Sequence, residues 1–122
     1  MADKVLVVDD DADNCSLLQF TLEQAGYQVV ICPNGRNALD KVREEKPRAV
    51  ILDVMLPGMD GVTIAKKMND DDEMKKIPII VSSSMDSSKG LFQGLFNVAK
   101  FLSKPFNPED LLEELKNAIA GA

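Results

Sequence analysis

Histidine is absent from all 122 residues. That removes the commonest general base and transition-metal ligand, and it excludes serine–histidine and cysteine–histidine nucleophile pairs. Cysteine is scarce. Cys15 and Cys32 lie outside any metal-ligand spacing and read as free thiols in a reducing compartment. No apolar run approaches the roughly 18 residues of a membrane span, and the N-terminus has no signal-peptide apolar region. Positive charge is in deficit, with 14 Lys and Arg against 20 Asp and Glu, a net charge of −6. This balance argues against non-specific binding to nucleic acid or to an anionic membrane. The expectation is a soluble cytoplasmic protein, folded as a single domain over residues 1–122, with no nucleic-acid or membrane partner.

What is present is organised around Asp53. The short apolar run Ala49–Leu52 reads as a buried strand that ends in this acid. Pro57, Gly58, Asp60 and Gly61 then turn the chain. An acid at the carboxyl end of a strand sits where open α/β sheets bind ligands. A carboxylate there can attack phosphorus and form an acyl phosphate. It can equally cap the next turn.

The rest of the chain alternates in kind. Lys4–Val8 reads as a strand ending in Asp9, Asp10 and Asp11. Asp11 or Asp13 can cap a helix whose inner face holds Cys15, Leu18, Leu22 and Ala25, and Gly26 closes it in a left-handed conformation. Tyr27–Cys32 reads as a second strand. Asn34 is the expected cap of a helix with Ala38, Leu39 and Val42 inward, ended by Pro47. Arg48–Asp53 is the third strand, and Asp60 caps a helix carrying Ile64, Ala65 and Met68. The acidic stretch Asp70–Lys76 reads as a solvated connector rather than a metal site. Ile77–Val81 is the fourth strand, running into Ser82, Ser83 and Ser84. Asp86–Asn97 reads as a weak helix, because Gly90 and Gly94 each cost about 1 kcal/mol relative to Ala. Phe101–Ser103 is a short fifth strand. Pro108 opens the last helix, whose inner face is Leu111, Leu112, Leu115 and Ile119.

Five strand–helix pairs with short connections imply an α/β fold, a doubly wound parallel sheet with helices on both faces. Its carboxyl edge would gather Asp9, Asp10, Asp53, Ser83 and Lys104. Three neighbouring carboxylates repel one another and call for a cation. Mg2+ suits such a site, since it takes oxygen ligands and pairs carboxylates with phosphate oxygens. Phosphoryl transfer needs its equatorial oxygens neutralised, and a lysine ammonium and a hydroxyl can serve beside the metal. Asp53 is the nucleophile with the least other duty. Singly, each of these residues has an ordinary structural role; jointly, four appropriate strand ends are hard to attribute to chance.

The motifs Val7–Asp10, Asp53–Gly61, Pro78–Ser83 and Lys104–Phe106 resemble those of the receiver domain of two-component response regulators. The similarity runs from Lys4 to about Ile119. The resemblance implies a flavodoxin-like (βα)5 fold with five parallel strands in order 2-1-3-4-5. It implies a phosphoacceptor at Asp53, served by a histidine kinase or a phosphotransfer protein. It implies Mg2+ held by Asp10 directly, by Asp9 through water, by Asp53 and by the Met55 backbone carbonyl. Ser83 would contact the phosphoryl oxygen and act with Phe101 as the switch pair. Lys104 would pair with Asp53 or its phosphate, and Lys104–Pro105 would be a cis peptide.

The pattern departs from the family in places. Ser83 stands where threonine is more usual. Phe101 stands where tyrosine is frequent, which favours an inward ring. Asn97–Lys100 lacks the usual residues before that aromatic, so the preceding connection is expected to be irregular. Met55 and Met85 occupy positions that often carry polar side chains, so slow autodephosphorylation is expected. Output would run through the face made by the fourth helix, the fifth strand and the last helix. A downstream protein or a second copy would bind over the Leu91–Phe101 region and the last helix. The chain is either a stand-alone regulator of the chemotaxis kind or a piece of a longer protein. The resemblance implies a signalling domain, not an enzyme with an outside substrate. Alternatives are a phosphatase, which would need a further general base and a lid, and a flavin-binding protein, whose phosphate Asp9, Asp10 and Asp11 would repel. A third is a degenerate receiver acting as a constitutive interaction domain, against which the intact acid set argues.

Overall fold

In the computed structural model, which describes residues 2–121 and only the backbone of Asp86, five parallel strands form one sheet. They are β1 (Lys4–Val8), β2 (Gln28–Cys32), β3 (Ala49–Leu52), β4 (Ile79–Ser83) and β5 (Val98–Ser103), in the order β2-β1-β3-β4-β5. The α-helices among the described residues are α1 (Ala12–Gln24), α2 (Ala38–Glu45), α3 (Gly61–Asn69) and α4 (Pro108–Gly121). The expected flavodoxin-like order is the observed one.

Strand side chains alternate between the two faces of the sheet, and each face builds its own core. Leu6, Val8, Leu52 and Val81 pack with Val42, Ile64 and Met68 from α2 and α3. Val5, Val7, Ile51 and Ile80 pack with Leu18 and Leu22 of α1 and Leu111 and Leu115 of α4. Cys32 belongs to the first core and Cys15 to the second, so the sheet lies between them and both are free thiols.

Local chemistry sets the helix ends. Asp11 caps α1, its carboxylate accepting from the Asp13 N–H at 3.0 Å and the Asn14 N–H at 3.4 Å. Gly26, at φ +96°, follows that helix. Its N–H reaches the Glu23 carbonyl while the Tyr27 N–H reaches back to the Leu22 carbonyl, which satisfies the last turn. Asp60 caps α3 through the Thr63 N–H at 2.8 Å. Asn34 accepts from the Asn37 N–H at 2.9 Å, but it caps a turn that leads into α2 rather than the helix itself.

Three expectations need correction. Ala25 lies beyond α1 and is exposed. The stretch expected as a helix over Asp86–Asn97 is a 3-10 segment over Asp86–Phe92 followed by a turn. Gly94 sits at φ +85° in that turn, a conformation no helix continues through. The fifth strand begins at Val98, not Phe101, and pairs with β4 through a register shift that leaves Ala99 as the extra residue. The acidic connector also holds a short 3-10 turn, Met74–Lys76, whose Met74 is buried; Asp71 accepts from the Glu73 and Met74 N–H groups.

Candidate functional site

Register places the chemistry. Val8 pairs with Leu52, so Asp9 and Asp53 leave the sheet side by side. The Asp53 N–H donates to the Val8 carbonyl at 3.0 Å, continuing the ladder past the strand ends. Leu52 is level with Val81 and Phe101, so Lys104 stands two residues beyond the level of Asp53. Alternation gives Asp9, Asp53 and Lys104 the parity of Val7, Ile51 and Leu102, so all three set off toward the side of α1 and α4. The lysine stem spans the remaining rise. Its ammonium lies 3.0 Å from Asp9 Oδ2 and 3.4 Å from Asp53 Oδ2.

Asp9, Asp10 and Asp53 each offer a carboxylate oxygen, and these oxygens lie within 4.8 Å of one another. Asp9 is 2% exposed and Asp10 is open to solvent. The Asp53 side chain is 13% exposed. Burial pushes the Asp53 carboxyl above its ordinary range; the Lys104 charge opposes this and the Asp9 charge adds to it. For Lys104, burial works against the ammonium. The hydrogen bond to Asp9 and the Asp53 and Asp9 charges outweigh it and hold the group above its usual value. The Val54 N–H donates to Asp53 Oδ1 at 2.7 Å and orients the carboxylate. The donor set is therefore all oxygen, negatively charged and only partly neutralised by one lysine, which fits a hard divalent cation.

Glycine keeps the end of β3 close to α3. The Gly61 N–H donates to the Val54 carbonyl at 2.8 Å, and a Cβ on Gly61 would lie 2.1 Å from the Asp53 carbonyl oxygen. The Lys104 N–H donates to the Ser83 carbonyl at 2.7 Å, which ties its backbone to β4, and the Lys104–Pro105 peptide is cis as expected.

The remaining expected residues stand around this group. Ser83 is buried, and its Oγ accepts from the Met85 N–H at 3.0 Å, which ties the hydroxyl to the loop after β4. Phe101 lies on the opposite face from Lys104. It is half-buried, tilted against Phe92 with ring centroids 6.2 Å apart. Met55 is 64% exposed and shares a groove of about 630 Å3 with Asp10, Met85 and Leu91. A second cleft, about 360 Å3, borders Lys104 and Phe106 together with Asn14, Leu17 and Thr21 of α1.

One contact escaped the sequence reading. The Asn14 carboxamide on the first turn of α1 donates from Nδ2 to Asp9 Oδ2, the same oxygen that Lys104 holds. The available signal was its place three residues after the cap, on the turn nearest the strand end.

A doubly wound parallel sheet with three converging carboxylates and a lysine at its carboxyl edge forms an acidic pocket whose oxygen donors suit a hard cation. Residues 5–116 match the response regulator receiver domain family, and the chain belongs to it. It is 36% identical over 117 residues to the alkaline phosphatase synthesis transcriptional regulatory protein PhoP of Bacillus subtilis. That alignment covers 95% of this chain and 48% of PhoP, so the chain spans about half the length of this curated relative. The chemotaxis response regulator CheY4 of Vibrio cholerae superposes with a TM-score of 0.87 at 32% identity, covering 97% of this chain and 99% of that one. The receiver domain of the sensor histidine kinase PA1611 of Pseudomonas aeruginosa shares the fold, with a TM-score of 0.88 at 21% identity over 98% and 99% of the two chains. That protein carries a magnesium ion in its active-site cleft. None of the helices among the described residues is long and apolar enough to cross a membrane.

Proposed function

We propose that this chain accepts a phosphoryl group on Asp53 from a phosphohistidine donor, a histidine kinase or a phosphotransfer protein, and that the acyl phosphate switches its contacts with other proteins. The observation that carries this reading is the convergence of Asp9, Asp10 and Asp53 within 4.8 Å, with the Lys104 ammonium between Asp9 and Asp53. In the transfer, an Asp53 carboxylate oxygen attacks phosphorus. The P–N bond to the donor imidazole breaks and its electron pair stays on that nitrogen. Lys104 neutralises a phosphoryl oxygen. Ser83, once its hydroxyl turns from the Met85 N–H, donates to another. The Val54 N–H holds the Asp53 carboxylate in place.

Asp9, Asp10, Asp53 and the Met55 carbonyl would hold Mg2+. Bound there, the ion would supply positive charge for the phosphoryl oxygens that Lys104 alone does not cover. The domain turns over only its own acyl phosphate, so it is a signalling module rather than an enzyme with an outside substrate. The intact, converged acid set disfavours a degenerate, phosphate-independent interaction domain.

Intact-protein mass after incubation with a small phosphodonor tests the assignment. A single phosphoryl adduct is expected that requires Mg2+, is lost with EDTA and is absent in Asp53→Asn. An adduct that survives the substitution, or none in the wild type, overturns it.

A further inference from the structure

We propose that Asn14 is a positioning residue that keeps buried Asp9 satisfied while Lys104 moves to the phosphoryl group, an inference that rests on the phosphoacceptor reading above. Asp9 is sealed from solvent, so its oxygens depend on protein donors or a cation. Oδ1 accepts from the Asp11 N–H at 2.9 Å. Oδ2 accepts both from Lys104 Nζ at 3.0 Å and from Asn14 Nδ2. A carboxylate only accepts, so the amide must face it with its nitrogen.

Lys104 lies nearer Asp9 than Asp53, at 3.0 Å against 3.4 Å. Serving a phosphoryl oxygen on Asp53 means loosening that grip. A buried carboxylate stripped of its partner is costly, so an Asp9 with fewer donors would hold the lysine more tightly. Asn14 supplies the donor that stays. It is neutral, so it does not compete for the phosphoryl group. It is carried on the first turn of α1, behind the Asp11 cap, so it stays in place when the lysine shifts. The strength of the Asn14–Asp9 bond therefore sets how freely Lys104 leaves.

Asn14→Leu removes the donor and keeps the size of the side chain. Asn14 is half-exposed at the rim of the cleft beside Lys104, whereas the α1 core positions are Cys15, Leu18 and Leu22, so the variant keeps its core. The test measures affinity for beryllofluoride, a phosphoryl mimic, at saturating Mg2+, by titration followed through amide NMR. Wild type, Asn14→Leu, Lys104→Ala and the double variant are compared, and Mg2+ affinity is measured alone in each.

Loss of one partner at a buried charge predicts beryllofluoride binding about fivefold weaker in Asn14→Leu. In the Lys104→Ala background the same change should cost less than about twofold, and Mg2+ affinity should move less than about twofold. A purely structural role would weaken Mg2+ and beryllofluoride together and equally in both backgrounds. That result, or undiminished binding in Asn14→Leu, overturns the proposal while leaving Asp53 as acceptor. A wild type that fails to bind beryllofluoride with Mg2+ removes both readings.

Discussion

Asp53 has neighbours that pull its charge in opposite directions. Burial raises its carboxyl above the ordinary value, Lys104 lowers it, and Asp9 raises it again. With the folded value above the unfolded one, the folded chain holds the Asp53 proton more tightly. This contribution to stability is complete below the unfolded value and is lost as pH rises through the raised folded one. At neutral pH the ionised Asp53 carboxylate therefore works against the metal-free fold. Lys104 has the opposite consequence there. Its raised value keeps it charged at neutral pH, and its contribution is lost only on the alkaline side. Asp53→Asn should accordingly melt a few degrees above the wild type at about pH 7 in EDTA, with the gap closing toward about pH 4. Circular-dichroism melts across that range check this. A wild type that melts at or above the variant at neutral pH would show that Lys104 already compensates the Asp53 charge in full. Added Mg2+ should stabilise the wild type more than the variant, because only the wild type offers the third carboxylate.

At the level of elements, legibility followed from how much each stretch buries. β1, β3 and β4 are each built on a run of buried apolar residues with turn chemistry at one end, and their presence could be read directly, although β4 spans Ile79–Ser83, two residues later than the expected Ile77–Val81. α1 and α3 announced themselves through the Asp11 and Asp60 caps. The edge of the sheet was less legible. β5 is only partly covered, and its first residues Val98, Ala99 and Lys100 carry no apolar alternation to mark them. The segment before it has apolar residues facing both ways: Phe92 turns inward while Leu91 stays out. Helical spacing fits such a pattern, but Gly94 at positive φ ends the turn. At the site, Asp9, Asp10, Asp53 and Lys104 were legible because strand ends share one edge; Asn14 was not, because a lone polar residue on a helix turn carries no pattern. The loop after β4 also carries a prediction. Met85 and Met55 line the groove beside Asp10 and offer attacking water no hydrogen-bond partner from their side chains. Met55→Asn or Met85→Glu should change the decay of the acyl phosphate by several-fold or more, toward faster loss where the new group orients water. Phosphoprotein decay followed by mass checks it, and unchanged decay in both variants would assign the methionines to packing alone.

For the whole molecule, the question is how an event at the carboxyl edge of the sheet reaches a partner. The chain between β4 and β5 runs from one edge to the other. It starts at Ser83, whose hydroxyl is tied to the Met85 N–H, and ends at Asn97, whose Nδ2 donates to the Ala65 carbonyl of α3 at 3.1 Å. Phe92 anchors its middle against Phe101. If Asp53 is phosphorylated as proposed, drawing the Ser83 hydroxyl toward a phosphoryl oxygen would release the first tie while the other two persist, so movement should concentrate between Ser84 and Leu91. Leu91 is exposed within that stretch. Phe96 is 96% exposed beyond the Phe92 anchor, near Lys75 and Lys76. Exposed apolar side chains of this size mark contact surfaces when they are brought together. Beryllofluoride with Mg2+ should therefore shift self-association or partner affinity. Leu91→Ser should reduce the shift itself, whereas Phe96→Ser should weaken binding in both states by a similar factor. Sedimentation velocity over a concentration series, with and without the mimic, separates the two. Equal behaviour of the variants would mean that the segment moves as one body past Phe92, and an unchanged association state and partner affinity would move the output surface away from this connection altogether.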